Sequence, residues 1–471
     1  MDPIAKLIPP PLPGEGITRH RKVPGMRTSI AVLLLSFTAL TMAIPHARAD
    51  GPRVMTLNDC IKTSLENNPQ LKASSMSVQS SEGSYGIARS VLLPQINAVA
   101  DAQRSTSNFA VTSQSPYASL YYKRPDNTNY PYYTASVTVD QQLFSFGKNY
   151  YGMRSSAELV NAARYNFINT RNTLVYNVKQ NFYNLLEYNM IIESDTYLLK
   201  QMQTQLEQAE AYYKAGIKTK IDVLSARTSL GTIRLNLITA QNARRIYILN
   251  LLSLMGLPLS AGVSFTGQLE AVPVSTSAGV YVQKALDNRP DYLSLKKQLD
   301  SARYSYKQSI TSYFPSLSGN ASYNWSGQDF PLTWNWAIGL ALTFNIFSGF
   351  ENTSALQVAK AQMLNIRYTM DQQKLTVELS VQSALDNLDQ AGKSITVARD
   401  TLDQAEANME LTKKGYSAGI NNYLDYLTAV ATYQNAESSY ATALASYNIA
   451  VANLDYVTGD TIANGGTEHE E

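Results

Sequence analysis

The side chains best placed to do chemistry stand at two matching turns. Tyr213-Lys214-Ala215-Gly216-Ile217 is followed by Asp222, and Tyr416-Ser417-Ala418-Gly419-Ile420 is followed by Asp425. A carboxylate beside a turn can act electrostatically on a passing ion, or it can simply begin a helix. Gly216 and Gly419 suit the left-handed residue that ends a helix. Asp222 and Asp425 then fall in or near the first turn of the returning helix, where negative charge favours the positive dipole end. The helical explanation accounts for both carboxylates by itself, and any ion-handling role stands beside it.

Most catalytic chemistry lacks its residues. Of three histidines, His20 and His46 lie near the N-terminus and His469 near the acidic C-terminus, so residues 50–468 hold none for a triad, a proton shuttle or a metal shell. The single cysteine, Cys60, can form no internal disulfide and reads as a small apolar helix residue. No phosphate-binding Gly loop followed by Lys-Ser/Thr is present, and no apolar run is long enough for a membrane helix, so the chain cannot itself couple ATP or proton flow to transport. The expectation is therefore no enzyme, no cofactor and no metal centre. Residues 1–49 read as a signal peptide. Arg19, Arg21, Lys22 and Arg27 precede the apolar run Ile30–Leu40, and Ala47-Arg48-Ala49 offers a cleavage site before Asp50. Met26 is an alternative start, with a Pro-rich extension upstream. Cleavage removes six basic and two acidic residues, which moves the formal charge from +2 to −2. Nucleic acid is thus not an expected partner.

These turns belong to an internal repeat. The turn motifs recur at a fixed spacing, as do Leu143-Phe144-Ser145 and Ile346-Phe347-Ser348; Leu93-Pro94-Gln95-Ile96 matches Phe314-Pro315-Ser316-Leu317. The first repeat spans 50–260, with helices at about 56–91, 148–214 and 220–255 and strands at about 94–104 and 133–145. A Gly/Pro/Ser-rich linker covers 261–276. The second spans 277–459, with helices at about 277–313, 350–415 and 421–458 and strands at about 315–326 and 334–347. A disordered tail, 460–471, follows. Residues 153–215 contain neither Gly nor Pro. A continuous helix there would extend about 95 Å, too long for one globular core, and must pack lengthwise as a coiled coil.

The strands want a lipid neighbour. Trp334, Trp336, Ile338, Leu340, Leu342, Phe344 and Ile346 alternate with Asn335, Ala337, Gly339, Ala341, Thr343 and Asn345. Leu317, Ala321, Tyr323 and Trp325 do the same, and Ile96, Ala98, Ala100 and Ala102 with Tyr133, Ala135, Val137, Val139 and Leu143 form weaker copies. About ten alternating residues with aromatics at the ends mark outer-membrane strands. An ordinary sheet on a core would need shorter helices to cover it. A membrane barrel needs about eight strands and tolerates no open edge, so several chains must share one barrel of 8, 12 or 16 strands. The long hairpin loop, 104–132, then faces outside, and every helix lies in the periplasm.

With its twofold helix–strand–strand–helix plan, Ala88-Arg89-Ser90-Val91-Leu92-Leu93-Pro94-Gln95 before the first strand, and both Tyr-x-x-Gly turns with a downstream Asp, the chain resembles TolC-like outer-membrane factors across about 54–460. The resemblance implies an α+β membrane protein: a homotrimer with a 12-stranded transmembrane β-barrel, four strands per chain, continuous with a periplasmic α-helical barrel. It also implies a periplasmic adaptor, an inner-membrane pump of the RND or ABC type, and outer-membrane lipid as partners. The family's gate tyrosine falls on Tyr416 and its first constriction aspartate on Asp425, with Asp222 equivalent in the first turn. Gly216 and Gly419 mark the tips where the adaptor would dock. The family's gate arginine and second constriction aspartate are replaced by Asn421 and Thr428. On a threefold axis, three copies of Asp425 would repel one another and form a cation-favouring ring.

The expected function is an exit duct of a tripartite efflux or type I secretion system in the outer membrane of a Gram-negative bacterium. The alternative is a structural or adhesive trimeric coiled-coil surface protein, which has no need of paired strand hairpins in each half. A stand-alone porin would lack the long helices.

Overall fold

The computed structural model describes residues 53–106, 129–271 and 278–460. The leader at 1–49, most of the first hairpin loop, the end of the linker and residues 461–471 lie outside these. The first half runs β1 (Arg53–Met55), α1 (Leu57–Asn67), α2 (Pro69–Ser90), β2 (Gln95–Thr106), β3 (Asn129–Phe144), α3 (Lys148–Lys214) and α4 (Lys220–Leu254). The second runs β4 (Val263–Phe265), α5 (Ala278–Asn288), α6 (Pro290–Thr311), β5 (Ser316–Gly327), β6 (Thr333–Thr343), α7 (Glu351–Ser417) and α8 (Tyr423–Thr458), in the same order of types. Both α3 and α7 have 67 residues, about 100 Å each. Each starts from a strand through two consecutive left-handed residues, Phe146-Gly147 and Gly349-Phe350. In each pair a phenylalanine shares the strain that glycine avoids.

Three expected boundaries differ. The helices expected at 56–91 and 277–313 are each divided in two, before Pro69 and before Pro290. Proline drives its predecessor out of helical geometry, and Asn68 and Arg289 are extended at ψ 123° and 117°. Asn68 repairs the break: its side chain accepts from the Leu71 N–H at 3.0 Å and donates to the Leu254 carbonyl at 2.8 Å. The linker expected at 261–276 contains β4, which pairs in parallel with β1 through Arg53↔Val263 and Met55↔Phe265. Finally, β6 stops at Thr343 although its alternation continues to Ile346. Its partner β5 begins at Ser316, opposite Thr343, so nothing remains to pair with.

The four long strands form one antiparallel sheet in the order β2-β3-β5-β6. Each strand continues into one helix, so α2, α3, α6 and α7 pack side by side in the same order. Farther down, α4 folds back on α3 and α8 on α7, and α3 meets α8 between these hairpins. The core is a row of clusters along the helices. Midway, Cys60, Met55, Phe182, Leu185 and Leu251 pack beneath β1 and β4. Burial there pushes the Cys60 thiol up to about 12, which keeps it an inert apolar filler. Val377, Val381, Leu388 and Leu454 form the counterpart in the second half. Near the turns, one cluster joins all four helices of the two hairpins. Among the described residues, no helix is long and apolar enough to cross a membrane.

Candidate functional site

Register decides which side of the sheet is apolar. Ile96 lies opposite Val139, which lies opposite Ala321, which lies opposite Ile338. One step along, Ala98, Val137, Tyr323 and Trp336 line up in the same way. Because side chains alternate, these rows put every apolar position of the four strands on one face. Trp334, Ile338 and Leu340 are 62%, 76% and 73% exposed there. The band carries aromatics at both ends. At the top, Tyr323 packs on Trp325 and Trp334 at 4.6 and 5.7 Å. At the bottom, Phe146 packs on Phe144 and Phe314 at 4.7 and 5.3 Å. Between Trp334 and Leu342 a tilted strand covers a height near the 25 Å of an outer-membrane apolar band. The opposite face is polar or small: Thr138 faces Ser322 and Asp140 faces Asn320, while the Asn324 amide donates to Asn335 at 3.0 Å.

At the other end of the helices, the two turns have one geometry. Gly216 and Gly419 sit at φ 74° and 76°. Their N–H groups reach Tyr213 and Tyr416 carbonyls, and those of Ile217 and Ile420 reach back to Tyr212 and Gly415. This paired 5→2 and 6→1 closure requires a left-handed residue, which is why glycine stands there. Asp222 and Asp425 are the third residues of α4 and α8. Their carboxylates accept the backbone N–H of Thr219 and Asn422, both at 3.2 Å, and complete capping boxes.

The turns bring Tyr416 and Asp222 together; Asp425 stays exposed at the start of α8. Tyr416 is 8% exposed, its ring 5.0 Å from Tyr423 and 6.4 Å from Tyr426. Burial raises the pKa of all three phenols, and the Asp222 charge adds to this at Tyr416 and Tyr423, so they stay neutral. None of the three hydroxyls has a hydrogen-bond partner within the chain. Lys218, from the first turn, lies over the Tyr416 ring with Nζ 5.0 Å from its centroid. Asn421 folds back against α7: a Cβ on Gly415 would stand 2.8 Å from its amide nitrogen. Sequence reasoning named Tyr416 but missed Tyr423, Tyr426 and Lys218. The two tyrosines were readable as a helical i, i+3 pair; nothing local announces that Lys218 crosses to the other turn.

Above this cluster, polar contacts cross from α3 to α8. The Gln434 amide donates to Asp195 at 2.6 Å, the Ser194 hydroxyl donates to Glu437, and Thr442 donates to Glu187 at 2.7 Å. Lys179 pairs with Asp455 at 3.2 Å. Burial raises the pKa of Asp195 and Glu187, and the nearby Glu437 raises that of Asp195 further.

Known proteins share this arrangement. The family model described as outer membrane efflux protein matches residues 60–257 and 281–460. The alkaline protease secretion protein AprF of Pseudomonas aeruginosa is 23% identical over 413 residues, 86% of this chain and 84% of its own length. The outer membrane protein TolC of Escherichia coli is 21% identical over 389 residues, 79% of this chain and 75% of its own. Among solved structures, the CmeC outer membrane channel of Campylobacter jejuni superposes with a TM-score of 0.76 at 19% identity, covering 86% of each chain. The outer membrane protein VceC of Vibrio cholerae gives 0.75 at 17% identity, covering 86% of this chain and 96% of its own.

Proposed function

The chain belongs to the outer membrane efflux protein family and serves as an outer-membrane exit duct for efflux or secretion, and from that premise we propose how it is assembled and closed. The observation that carries the reading is the four-stranded sheet with an apolar outer face and two free edges, β2 and β6. Unpaired backbone groups in hydrocarbon cost several kcal/mol each. Strand directions alternate, so β6 of one copy meets β2 of the next antiparallel. Three copies close a 12-stranded barrel, within the range that bacterial barrels use. Each strand feeds one helix, and the helices continue the barrel as a periplasmic tunnel. Residues 50–260 and 277–459 are two copies of one ancestral unit, which supports the shared order of elements. Nothing in the duct supplies energy; a periplasmic adaptor and an inner-membrane pump of the RND or ABC type drive export.

The tunnel closes at the turns. Tyr416, Asp222 and Asp425 line the constriction, and Gly216 and Gly419 shape the tips that the adaptor meets. Asn421 stands where an arginine would lock the family's gate, and Lys218 over the Tyr416 ring takes over the task. Purified protein tests the assembly directly. Native mass spectrometry should give a trimer, and planar bilayers should show discrete, low-conductance channels. A monomer, or a trimer that never conducts, would refute the duct and favour a structural coiled-coil surface protein.

A further inference from the structure

Just below the lower aromatic girdle, the α3–α6 seam carries two cations that lack a carboxylate partner. The Arg154 guanidinium takes one hydrogen bond acceptor, the Tyr304 hydroxyl at 3.3 Å, and lies 5.4 Å from that ring's centroid. Its Nε is buried with no partner. Lys307 Nζ lies 5.9 and 5.6 Å from the ring centroids of Tyr151 and Tyr304. The seam's carboxylates are engaged lower down: Glu158 holds Lys297 at 3.1 Å, and Asp300 holds Arg303 at 3.1 Å. Two positive groups are therefore held side by side by aromatic rings, with a donor left over.

Their depth and direction say what they meet. Arg154 is the seventh residue of α3, about 9 Å below the helix start. The headgroup layer occupies about 5–7 Å beyond each side of the hydrocarbon, and Arg and Lys stems reach back toward such a layer. Direction follows from α6. Ser301, Ala302 and Ser305 line a groove shared with Leu159 and Ala359. Lys307 lies elsewhere on the helix, seven residues before Phe314. Phe314 stacks on Phe146, which packs on Phe144. Phe144 pairs opposite Leu317, on the lipid-facing side of the sheet. Lys307 and its neighbours thus point to the surrounding membrane.

We propose that Arg154 and Lys307, set by Tyr151 and Tyr304, bind the phosphate of an anionic phospholipid in the periplasmic leaflet. The two cations flank the phosphate, and the unpartnered Nε of Arg154 supplies the added donor. A bound headgroup fixes the height of the barrel where the strands become helices. The inference rests on the duct reading, because it needs the apolar sheet face to lie in lipid.

The probe is phosphatidylglycerol against phosphatidylcholine. Detergent-purified trimer is reconstituted into nanodiscs of a 1:1 mixture, re-extracted, and its retained lipid counted by native mass spectrometry. Wild type should retain phosphatidylglycerol preferentially by roughly thirtyfold, the factor expected for two basic groups at a membrane surface. The double variant Arg154→Gln/Lys307→Gln should bring the ratio close to one, and Lys307→Gln alone should lower it roughly fivefold. The single variant alters only an exposed side chain and carries the test if the double variant does not assemble. Inorganic phosphate at 100 mM, on the order of physiological salt, should leave the retained lipid unchanged. Equal retention of both lipids, unchanged preference in the variants, or displacement by inorganic phosphate would overturn the headgroup site. Conductance in pure phosphatidylcholine bilayers separates the two claims: a conducting trimer with no lipid preference sinks the site and leaves the duct standing.

Discussion

Replacing Lys218 with glutamine should open the periplasmic end of the duct. Nζ of Lys218 lies 5.0 Å from the centroid of a Tyr416 ring that is 8% exposed, while the lysine itself is half-buried. A cation over a ring in such a setting contributes about 0.5–1 kcal/mol. In a trimer whose three turns open together, the loss is about 1.5–3 kcal/mol, and each 1.4 kcal/mol is about tenfold in the equilibrium. The ratio of open to closed channel should therefore rise roughly ten- to hundredfold. Single-channel recording in planar bilayers reads this as open probability and as conductance at fixed voltage. Three companion variants sharpen the test. Lys218→Arg keeps the charge over the ring and should stay closed. Tyr416→Phe keeps the ring and loses only a hydroxyl that has no partner, so it should also stay closed. Tyr416→Leu removes the ring and should behave like Lys218→Gln. The reasoning fails if Lys218→Gln leaves the open probability unchanged, or if Tyr416→Phe opens the channel as far as Tyr416→Leu.

Three further outcomes follow from other parts of the chain. Ile338→Arg puts a charge on the lipid face at a cost of about 2–4 kcal/mol, whereas Ala337→Arg, one residue along, enters the polar face opposite Ser322; outer-membrane fractionation should show loss of assembled trimer for the first and not for the second. Burial holds the Asp195 pKa above its ordinary value, with Glu437 adding to the effect. The folded chain therefore keeps this proton more tightly than the unfolded one, and the penalty grows as pH rises from the ordinary carboxylate range through the raised value. Asp195→Asn keeps an acceptor for Gln434 and should raise the melting temperature at pH 7.5 more than at pH 4; an equal shift at both would contradict it. Asp425→Ala should lower cation selectivity in bilayers, besides weakening the start of α8 by about 1 kcal/mol; unchanged reversal potentials under a salt gradient would leave Asp425 a helix cap and nothing more.

Much of this architecture was legible because punctuation and period are local properties. Gly216, Gly419 and the Gly- and Pro-free stretches mark where the long helices run and turn, and the alternation around Trp336 and Ile338 marks the membrane face. What escaped depends on partners distant in sequence. Alternation through Ile346 could not tell that β6 would lose its neighbour at Thr343. The three residues of β1 are too few to carry a period, yet they pair with β4 about two hundred positions later. Pro69 and Pro290 were visible, but whether a helix bends or breaks at such a residue depends on what receives the freed groups, here Asn68 and the Leu254 carbonyl. The site was legible in the same measure. Tyr416, Asp222 and Asp425 stand out by repetition; Lys218 and the tyrosine trio act only because two turns from opposite halves meet.

That meeting explains why closure can depend on so small a contact. The cluster at the turns buries Met202, Val223, Met409, Tyr423 and Tyr426 among four helices, enough apolar surface to hold them firmly if nothing opposed it. Three buried hydroxyls oppose it. Each polar group left without a partner costs about 1–3 kcal/mol that water would restore on opening. Burial that should lock the tip is thereby offset by polar groups that gain from exposure, and the balance between closed and open lies within a few kcal/mol. Higher up, the α3–α8 seam is made of hydroxyl and amide contacts to carboxylates, which exchange for water at little net cost. The two hairpins can therefore part without breaking the apolar clusters midway along the helices, where Cys60 and Val381 are buried. A single lysine over a single ring has leverage at the tip because the packing around it is nearly balanced.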